Sequence, residues 1–462
     1  MDEKMEFQEL VERALKRMEN KEYIVVRDEL LKWKDADVAE VIEEVMDEVS
    51  LDAAIILFRM LPKDVSADVF AYLPTEDQLA IIRGITDREI SYIIQELDFD
   101  DKIDVLEELP ANLVDKILEK TPRHERKQIN TFLNYPDNCA GTLMTPDYIS
   151  LKANMTVKDA LRHIKRVGMD SETVYTCYVK DESRHLKGIV SLRKLVISDA
   201  NTPLSELMMQ DIVSINVLED QEEAYETFKK YGYLAIPVVD SEDRLVGIIT
   251  MDDILDVIEE ETTEDFERMA GIVDDSTTSY LDIGVLKHVR NRLPWLLALM
   301  LMYIITGAII SGFEVTLKEV ISLSVYMPML MGTGGNSGSQ SATLIIRSMA
   351  VGDIDLKDGW RVLWKELRVS VILGVVLSAV NFVRVMIEQH SDPRCFMIAL
   401  TVCLSTIAVV VAAKCIGSML PMLAKKIGVD PALMASPMIS SLTDTVSVTT
   451  YFLLATALLQ IG

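Results

Sequence analysis

Cysteine is scarce in this chain of 462 residues, and the five cysteines show no paired spacing: Cys139, Cys177, Cys395, Cys403 and Cys415. Three of them lie in apolar stretches, which predicts reduced, packed thiols rather than a disulfide framework. The N-terminus, MDEKMEFQEL, also lacks the apolar core that a signal peptide needs. We therefore expect the region that follows it to stay in the cytosol.

Basic residues are scarce in the first part of the chain. Residues 1–282 contain 32 Lys and Arg against 63 Asp and Glu, a net charge of −31, whereas residues 283–462 carry +4. This asymmetry predicts an acidic water-soluble region followed by a membrane region. An acidic surface repels phosphate, which argues against nucleic acid as a partner. Two interpretations of the acidity stay open: it binds cations, or it only keeps the region soluble.

Residues 1–135 have the periodicity of helices. Apolar residues recur at spacings of three and four, as in ADVFAYL and DKIDVLEEL. Leu-Pro pairs occur at residues 61–62, 73–74 and 109–110. Proline near a helix boundary indicates short stacked helices, so we expect an acidic, all-α N-terminal domain.

From about Gly141 the pattern changes to short β-rich runs separated by helical stretches. The order strand–helix–strand–strand–helix occurs over residues 142–199 and again over 204–258, which indicates an internal duplication. YVKDESRHLKGIVSLRKLV and VVDSEDRLVGIITMDDIL match in detail. The region resembles a tandem pair of α/β CBS domains, over 136–200 and 201–258, a module that commonly binds adenine nucleotides or ions.

A helical segment, 259–284, leads to a hydrophobic region, 285–462. No charge occurs in residues 293–312, 320–346, 369–383 or 395–413, and a last apolar stretch from about Pro431 contains only Asp444. These lengths predict about five membrane helices. Lys and Arg concentrate before the first span, between the second and third, and between the fourth and fifth. The positive-inside rule then predicts a multi-pass cell-membrane protein with its N-terminus in the cytoplasm and its C-terminus outside.

Polar residues interrupt the second predicted span, in PMLMGTGGNSGSQSATLIIR over 328–347. Its four glycines weaken a helix, while Asn336, Ser339 and Gln340 offer oxygens and amides. Irregular polar backbone at this depth is tolerated only where it faces protein or a water-filled cavity, so we expect these residues to face one or the other. Close helix packing through small residues is the alternative for the glycines. No Gly-Lys-Ser/Thr follows, which argues against a phosphate-binding loop.

The last span has polar residues on one face, because Ser436, Ser440 and Asp444 are spaced four apart. Pro437 has no N–H, and its ring removes the normal contact with Leu433, which can leave carbonyl groups free for a ligand. One carboxylate among neutral oxygens suits a hard cation such as Mg²⁺, and two chains on a two-fold axis would supply two. The alternative is a buried ion pair between Asp444 and Lys414.

The segments GTGGNSGSQSATLIIR and DPALMASPMISSLTD, the CBS pair and the acidic helical domain together resemble the MgtE family of magnesium channels. The resemblance covers nearly the whole chain. It implies a homodimer in the lipid bilayer, with five membrane helices per subunit and a pore on the dimer axis. The family's pore-site Asp falls on Asp444, and neighbouring pore positions fall on Ser436 and Ser440. The resemblance also brings the Gly-Gly-Asn segment close to the pore, which makes Asn336, Ser339 and Gln340 candidate pore-lining residues. The family commonly has Asn where this chain has Ser436 and Ser339, a departure that bears on selectivity.

Carboxylates of the acidic region fall at spacings that place them on shared helix faces, where like charges repel and a bound cation would relieve the repulsion. They are Asp100 with Asp104, Asp253 with Asp256, and Glu261, Glu264 and Asp265 on the next helix. The resemblance implies that these surfaces sense magnesium and hold the pore shut. It adds Asp220 and Glu222 by match of motif, and puts Gly232 where the family often has another acid. A solvated surface role is the alternative for each acid.

Thr250 and Asp253 have the T-x-x-D spacing that nucleotide-binding CBS domains use for ribose hydroxyls. The first repeat has Ser191 and Lys194 instead. The resemblance adds Arg193 and Tyr233 as candidate phosphate and adenine contacts. ATP is therefore a candidate ligand of the CBS domains.

The sequence thus predicts a Mg²⁺-selective channel for uptake, not an enzyme, that closes when cytosolic Mg²⁺ is plentiful. One rival is a CBS-regulated transporter whose substrate is another divalent cation or solute. A transporter of anions or organic solutes predicts a pore-facing Arg or Lys, or two broken helices in inverted repeats. A second rival is an intramembrane aspartyl enzyme, which needs two carboxylates sharing a proton. The other spans offer no second acid, because Glu366 falls at the cytosolic end of the third.

Overall fold

The computed structural model describes residues 2–169, 171–272, 283–314, 318, 320–434 and 436–459. The chain forms two compact units, residues 1–259 and 260–462. The first unit contains the helical region and the duplicated α/β region. The second contains the long apolar helices.

Short helices fill the chain from Asp2 to Phe132. In order they are α1 Asp2–Glu19, α2 Tyr23–Leu30, α3 Asp35–Glu48, α4 Leu51–Met60, α5 Lys63–Ala71, α6 Thr75–Gly84, α7 Asp87–Glu96, α8 Phe99–Glu108, α9 Ala111–Lys120 and α10 Arg123–Phe132. Pro62, Pro74 and Pro110 each lie immediately before a helix. Proline lacks an N–H and fixes φ, so it stops one helix and starts the next. The Leu-Pro pairs therefore do mark boundaries between short helices, as predicted.

One apolar core runs through these helices. Phe58 of α4 and Phe70 of α5 are almost fully buried against each other, and Phe99 of α8 packs edge-on against Phe132 of α10 at 4.7 Å between ring centroids. Burying a large apolar side chain stabilises a fold by roughly 1.5–3 kcal/mol. The Phe99 contact fixes the first turn of α8, where several carboxylates lie.

The α/β region contains two copies of one small unit, as the internal repeat predicts. The first consists of β1 Tyr148–Lys152, α11 Val157–Val167, β2 Thr173–Lys180, β3 Leu186–Ser191 and α12 Leu192–Ile197. After α13 Leu204–Leu207, the second consists of β4 Ile215–Asn216, α14 Gln221–Tyr231, β5 Ala235–Val239, β6 Leu245–Thr250 and α15 Met251–Ala270. In each sheet the first two strands are parallel and the last two are antiparallel.

Helix α15 corrects one expectation about the carboxylates. It runs without a break from Met251 to Ala270, so the five acids predicted between Asp253 and Asp265 lie on one helix rather than on two consecutive ones. The predicted connecting segment, 259–284, begins within this helix. Residues 273–282 of that segment lie outside the described residues.

Five long helices make up most of the second unit: α16 Val285–Gly312, α17 Ser322–Ala350, α18 Gly359–Glu388, α19 Cys395–Lys426 and α20 Ser436–Leu459. Short 3₁₀ turns precede two of them, at Leu356–Asp358 and Pro431–Met434. Within the described residues, α16, α18, α19 and α20 are long and apolar enough to cross a membrane. Helix α17 is long enough, but its Gly, Ser, Asn and Gln residues lower its mean hydropathy. Helix α19 packs against α17, α18 and α20.

The expectation of irregular backbone is wrong for the glycine-rich segment, whereas Pro437 lies at the start of a helix. Residues 328–347, predicted to interrupt a helix, lie within the continuous α17. Pro437 falls in the first turn of α20, where a missing N–H breaks no helical hydrogen bond. The proline therefore starts this helix and does not open a gap in it.

Candidate ion pathway and cation sites

Asp444 lies in α20 and is only 9% exposed. Its Oδ2 accepts a hydrogen bond from the Tyr303 hydroxyl of α16 at 3.3 Å, and within the described residues it forms no ion pair. Thr306 and Thr445 pair their hydroxyls at 2.7 Å beside this contact, so two polar links join α16 to α20. A buried carboxylate that has only one neutral donor is poorly compensated, and a cation would compensate it.

Lys414, the alternative partner of Asp444, is bonded elsewhere. Its Nζ lies 3.4 Å from Glu366 Oε2 of α18 and donates to Ser341 Oγ of α17 at 3.0 Å. The Ser341 hydroxyl donates to the same Glu366 oxygen at 2.6 Å. The proposed Asp444–Lys414 pair is therefore wrong, and neither charge of the Lys414–Glu366 pair is available to Asp444.

Small residues let α17 approach α20 and α19 closely. A Cβ at Gly335 would touch Ser440, and one at Gly338 would fall 2.8 Å from Ile439 and 3.1 Å from Thr443. The alternative interpretation, close packing through glycine, is therefore correct for these two positions.

The predicted pore-lining residues are only partly brought together. Ser339 and Ser440 pair their hydroxyls at 3.4 Å across α17 and α20. Asn336 and Gln340 lie one turn apart on an exposed face of α17, and neither is hydrogen-bonded to Asp444 in the described part of the chain. Ser436 begins α20, but its side chain lies outside the described residues.

Asp100 is the centre of an acidic cluster in the first unit. Its Oδ1 is buried and has no hydrogen-bond partner in the described part of the chain. Burial, and then the charges of Asp253, Asp101 and Glu172, raise the pKa of Asp100 to about 8. Burial and neighbouring carboxylates also raise the pKa of Asp101 to about 6 and that of Glu172 to about 7. An orphaned oxygen among repelling carboxylates fits a site for a cation.

Local contacts position the two sides of this cluster. Lys102 of α8 is buried and bonds Glu125 at 2.9 Å, which holds α8 against α10. On the other side, the Thr250 hydroxyl donates to Asp253 Oδ2 at 2.6 Å and fixes the start of α15. Burial outweighs this bond and raises the pKa of Asp253. Burial raises the pKa of Asp256, and the negative charges of Glu259 and Asp252 add to this effect.

Sequence reasoning found only part of the cluster. It missed four acids whose charges act on this site: Asp98, Asp101, Asp252 and Glu172. The acidic runs DFDD and MDD could have indicated the first three. Glu172 lies far along the chain from both runs, so no sequence pattern connects it to them. Asp104 is exposed on the same helix, α8. Within the described chain, no three His, Cys, Asp or Glu side chains are close enough to hold a metal ion by themselves.

Asp220 and Glu222 lie at the start of α14. The Asp220 side chain accepts a hydrogen bond from the backbone N–H of Glu222 at 2.9 Å, the geometry of an N-cap. Gly232 ends the same helix with φ +64°, a backbone conformation that favours glycine. The requirements of the helix ends therefore explain Asp220 and Gly232 without a ligand.

A second acidic group surrounds the end of α15, within the second unit. Arg268 bonds both Glu264 and Asp430, the latter at 2.6 Å. Burial, and then the charges of Asp430 and Glu261, raise the pKa of Asp265, while Arg347 opposes the shift. Asp430 thus belongs to the same acidic group as the predicted Glu264 and Asp265. Sequence spacing could not connect Asp430 to them.

The nucleotide contacts stay predictions. Thr250 and Asp253 bond each other. Arg193 is exposed on α12, and Tyr233 stacks on Tyr231 with ring centroids 5.6 Å apart.

Three family models match consecutive parts of the chain. Residues 33–138 match the MgtE intracellular N domain, residues 140–200 and 204–260 each match a CBS domain, and residues 327–454 match MgtE, described as a divalent cation transporter. The solved structure of the soluble part of a magnesium transporter is 29% identical in sequence and covers 55% of this chain and 99% of its own, with a TM-score of 0.49. The structure of the cytosolic domain of the Mg²⁺ channel MgtE in complex with ATP is 33% identical and covers 50% of this chain and 93% of its own, with a TM-score of 0.47.

Curated relatives are similar over nearly the full length. The magnesium transporter MgtE of Thermus thermophilus is 36% identical over 455 residues, which cover 96% of this chain and 100% of the relative. The magnesium transporter MgtE of Bacillus subtilis is 32% identical over 428 residues, covering 90% and 93%. With its apolar helices and CBS pair, the chain belongs to the MgtE family of magnesium transporters.

Proposed function

We propose that this chain is a Mg²⁺-selective channel for uptake, with α17 as a fifth membrane helix and a pore on the axis of a homodimer. The observation that carries the proposal is Asp444. It is a buried carboxylate among the membrane helices, and its one described partner is a neutral hydroxyl. A charge this costly is typical of an ion pathway.

The chemistry around Asp444 suits Mg²⁺. Ser440 and Ser339 supply hydroxyl oxygens on the facing surfaces of α20 and α17. Mg²⁺ prefers oxygen ligands and dehydrates reluctantly, so one or two carboxylates that hold its water shell form a suitable site. A second chain on a two-fold axis would supply the second carboxylate.

Feedback closure would use the acidic clusters. Cations between Asp100 and Asp253, and beside Asp265 and Asp430, would relieve the repulsion that adds to burial in raising the pKa of Asp100 and of Asp265. Mg²⁺ that binds the compact state better than the open one would shift the population towards closure. The distribution of Lys and Arg puts the clusters and the N-terminus in the cytoplasm and the C-terminus outside.

ATP binding at the CBS pair is a separate part of this proposal. Thr250 and Asp253 already form a hydroxyl–carboxylate pair, and a ribose could replace the Thr250 donor with its own hydroxyls. Binding of labelled ATP to the purified chain, compared with the Asp253→Asn variant, tests this point.

The central test is Mg²⁺ flux into liposomes that contain the purified chain. We expect Asp444→Ala to lose at least about tenfold in flux, because the pathway loses its fixed charge. Asp353→Asn, which removes an exposed loop carboxylate, is the matched control and should conduct normally. Normal flux in Asp444→Ala would refute the pore site. Competition by Co²⁺ and Mn²⁺ tests the alternative that another divalent cation is the substrate.

A further inference from the structure

A buried polar clamp joins three helices of the second unit. Ser341 of α17 is fully buried, Lys414 of α19 is 4% exposed, and the Glu366 side chain of α18 is 12% exposed. The three groups bond one another at 2.6, 3.0 and 3.4 Å. Since a buried ion pair is commonly no more stabilising than apolar residues of the same size, stability alone does not account for it.

The clamp lies beside a very close contact between helix backbones. A Cβ at Gly417 of α19 would overlap the Gly338 carbonyl of α17. Gly338 precedes Ser341 by three residues and Gly417 follows Lys414 by three, so both lie about one turn from the clamp. The glycines set the distance between the two helices. They provide no side chains that would fix how α17 is rotated.

At this level of the helix, the clamp is a polar contact that depends on that rotation. Residues two apart in a helix point about 200° away from each other. With Ser341 held against α18 and α19, Ser339 is directed to the opposite side of α17, where it pairs with Ser440 of α20. Without the clamp, α17 loses a polar contact that opposes a turn of this segment and a movement of Ser339 away from Ser440.

We propose that Ser341, Glu366 and Lys414 are positioning residues that set cation selectivity by fixing the rotation of α17. This inference rests on the proposed function, in which the α17–α20 surface lines the pore. The clamp itself touches no ion. The clamp affects selectivity through the polar face of α17 that contains Ser339.

The test compares Mg²⁺ and Co²⁺ flux through the full-length chain in liposomes. Ser341→Ala keeps the Glu366–Lys414 ion pair and removes only the link from this pair to α17. We therefore expect near-normal thermal unfolding, together with a roughly tenfold change in the ratio of Mg²⁺ flux to Co²⁺ flux. Ser370→Ala is the matched control: Ser370 is equally buried in α18, and its hydrogen bond in the described part of the chain goes to a carbonyl of its own helix. It should leave the ratio unchanged.

A double variant separates positioning from stability. Glu366→Leu with Lys414→Met removes both charges and avoids an unpaired one, so the protein should fold while its selectivity stays altered. Parental selectivity in both Ser341→Ala and the double variant would overturn the clamp inference, as would an equal change in Ser370→Ala. Normal flux in Asp444→Ala would instead overturn the pore site, so the two failures are distinguishable.

Discussion

Arg268 Nη1 lies 2.6 Å from Asp430 Oδ2 and joins the end of α15 to the turn that precedes α20. The same guanidinium also bonds Glu264. Arg268 therefore forms ion pairs with two carboxylates in a group to which Asp265 also belongs. A permanent internal cation at this place competes with any divalent ion for the same oxygens.

Replacing Arg268 with Gln should increase the cation affinity of this group. The side chain is 41% exposed, so the effect is that of a partly screened ion pair, and we expect closure at about two- to fivefold lower Mg²⁺. Flux measured against Mg²⁺ on the cytoplasmic side checks this. Arg361→Gln, which breaks an exposed pair with Asp358, is the control. An unchanged or higher Mg²⁺ requirement would contradict the prediction.

The Asp100 cluster should make local stability depend on pH. Asp100, Glu172 and Asp101 bind protons more tightly in the folded state, so their stabilising contribution is complete at low pH and is lost as pH rises from about 4 to 8. We expect the opening free energy of α8, measured by hydrogen exchange on the full chain, to fall over this range by on the order of 2 kcal/mol.

Asp100→Asn and Mg²⁺ provide the controls for that dependence. The amide cannot ionise, so the variant should show a flatter pH profile and higher stability at pH 8. Mg²⁺ should restore protection at pH 8 in the parent and much less in Asp100→Asn. Stability that rises with pH without Mg²⁺ would show that the cluster does not repel as inferred.

Removing the Tyr303 hydroxyl should strengthen cation binding at Asp444. Tyr303→Phe takes away the donor that now bonds the carboxylate, and a neutral hydrogen bond contributes about 0.5–1.5 kcal/mol. We therefore expect the KM for Mg²⁺ flux to fall about two- to tenfold. Tyr326→Phe breaks an equally long bond to Glu388 and should leave KM unchanged. A higher KM in Tyr303→Phe alone would mean that the hydroxyl supports ion binding.

The close packing of α17 predicts an unequal response to alanine. At Gly338 a Cβ would meet Ile439, Thr443 and the Ala413 carbonyl within 3.2 Å, so Gly338→Ala should destabilise the protein by roughly 1–3 kcal/mol. At Gly359 the nearest atom is 3.6 Å away, on the flexible Met422 side chain. Gly359→Ala should be neutral or slightly stabilising. Equal thermal shifts in the two variants would show that Gly338 does not set the helix contact.

Much of the architecture could be predicted because it depends on local patterns. The spacing of apolar residues and the Leu-Pro pairs indicated the short helices, and the internal repeat indicated the paired α/β units. The glycine-rich segment was misread as irregular backbone. Glycine weakens an isolated helix, but the apolar surroundings of α17 require its backbone hydrogen bonds to be satisfied internally, and close contacts with Ser440 and Ile439 hold it.

The sequence by itself determined which chemistry is present: a lone carboxylate in an apolar span, a polar segment in another, and an acidic soluble region. Only the tertiary structure decided which charges meet. Lys414 lies 48 residues along the chain from Glu366 and 73 from Ser341, and Asp430 lies 162 residues from Arg268, so spacing could not pair them. Helix packing sets such pairs, because a side chain's partners in a folded protein are its neighbours in space.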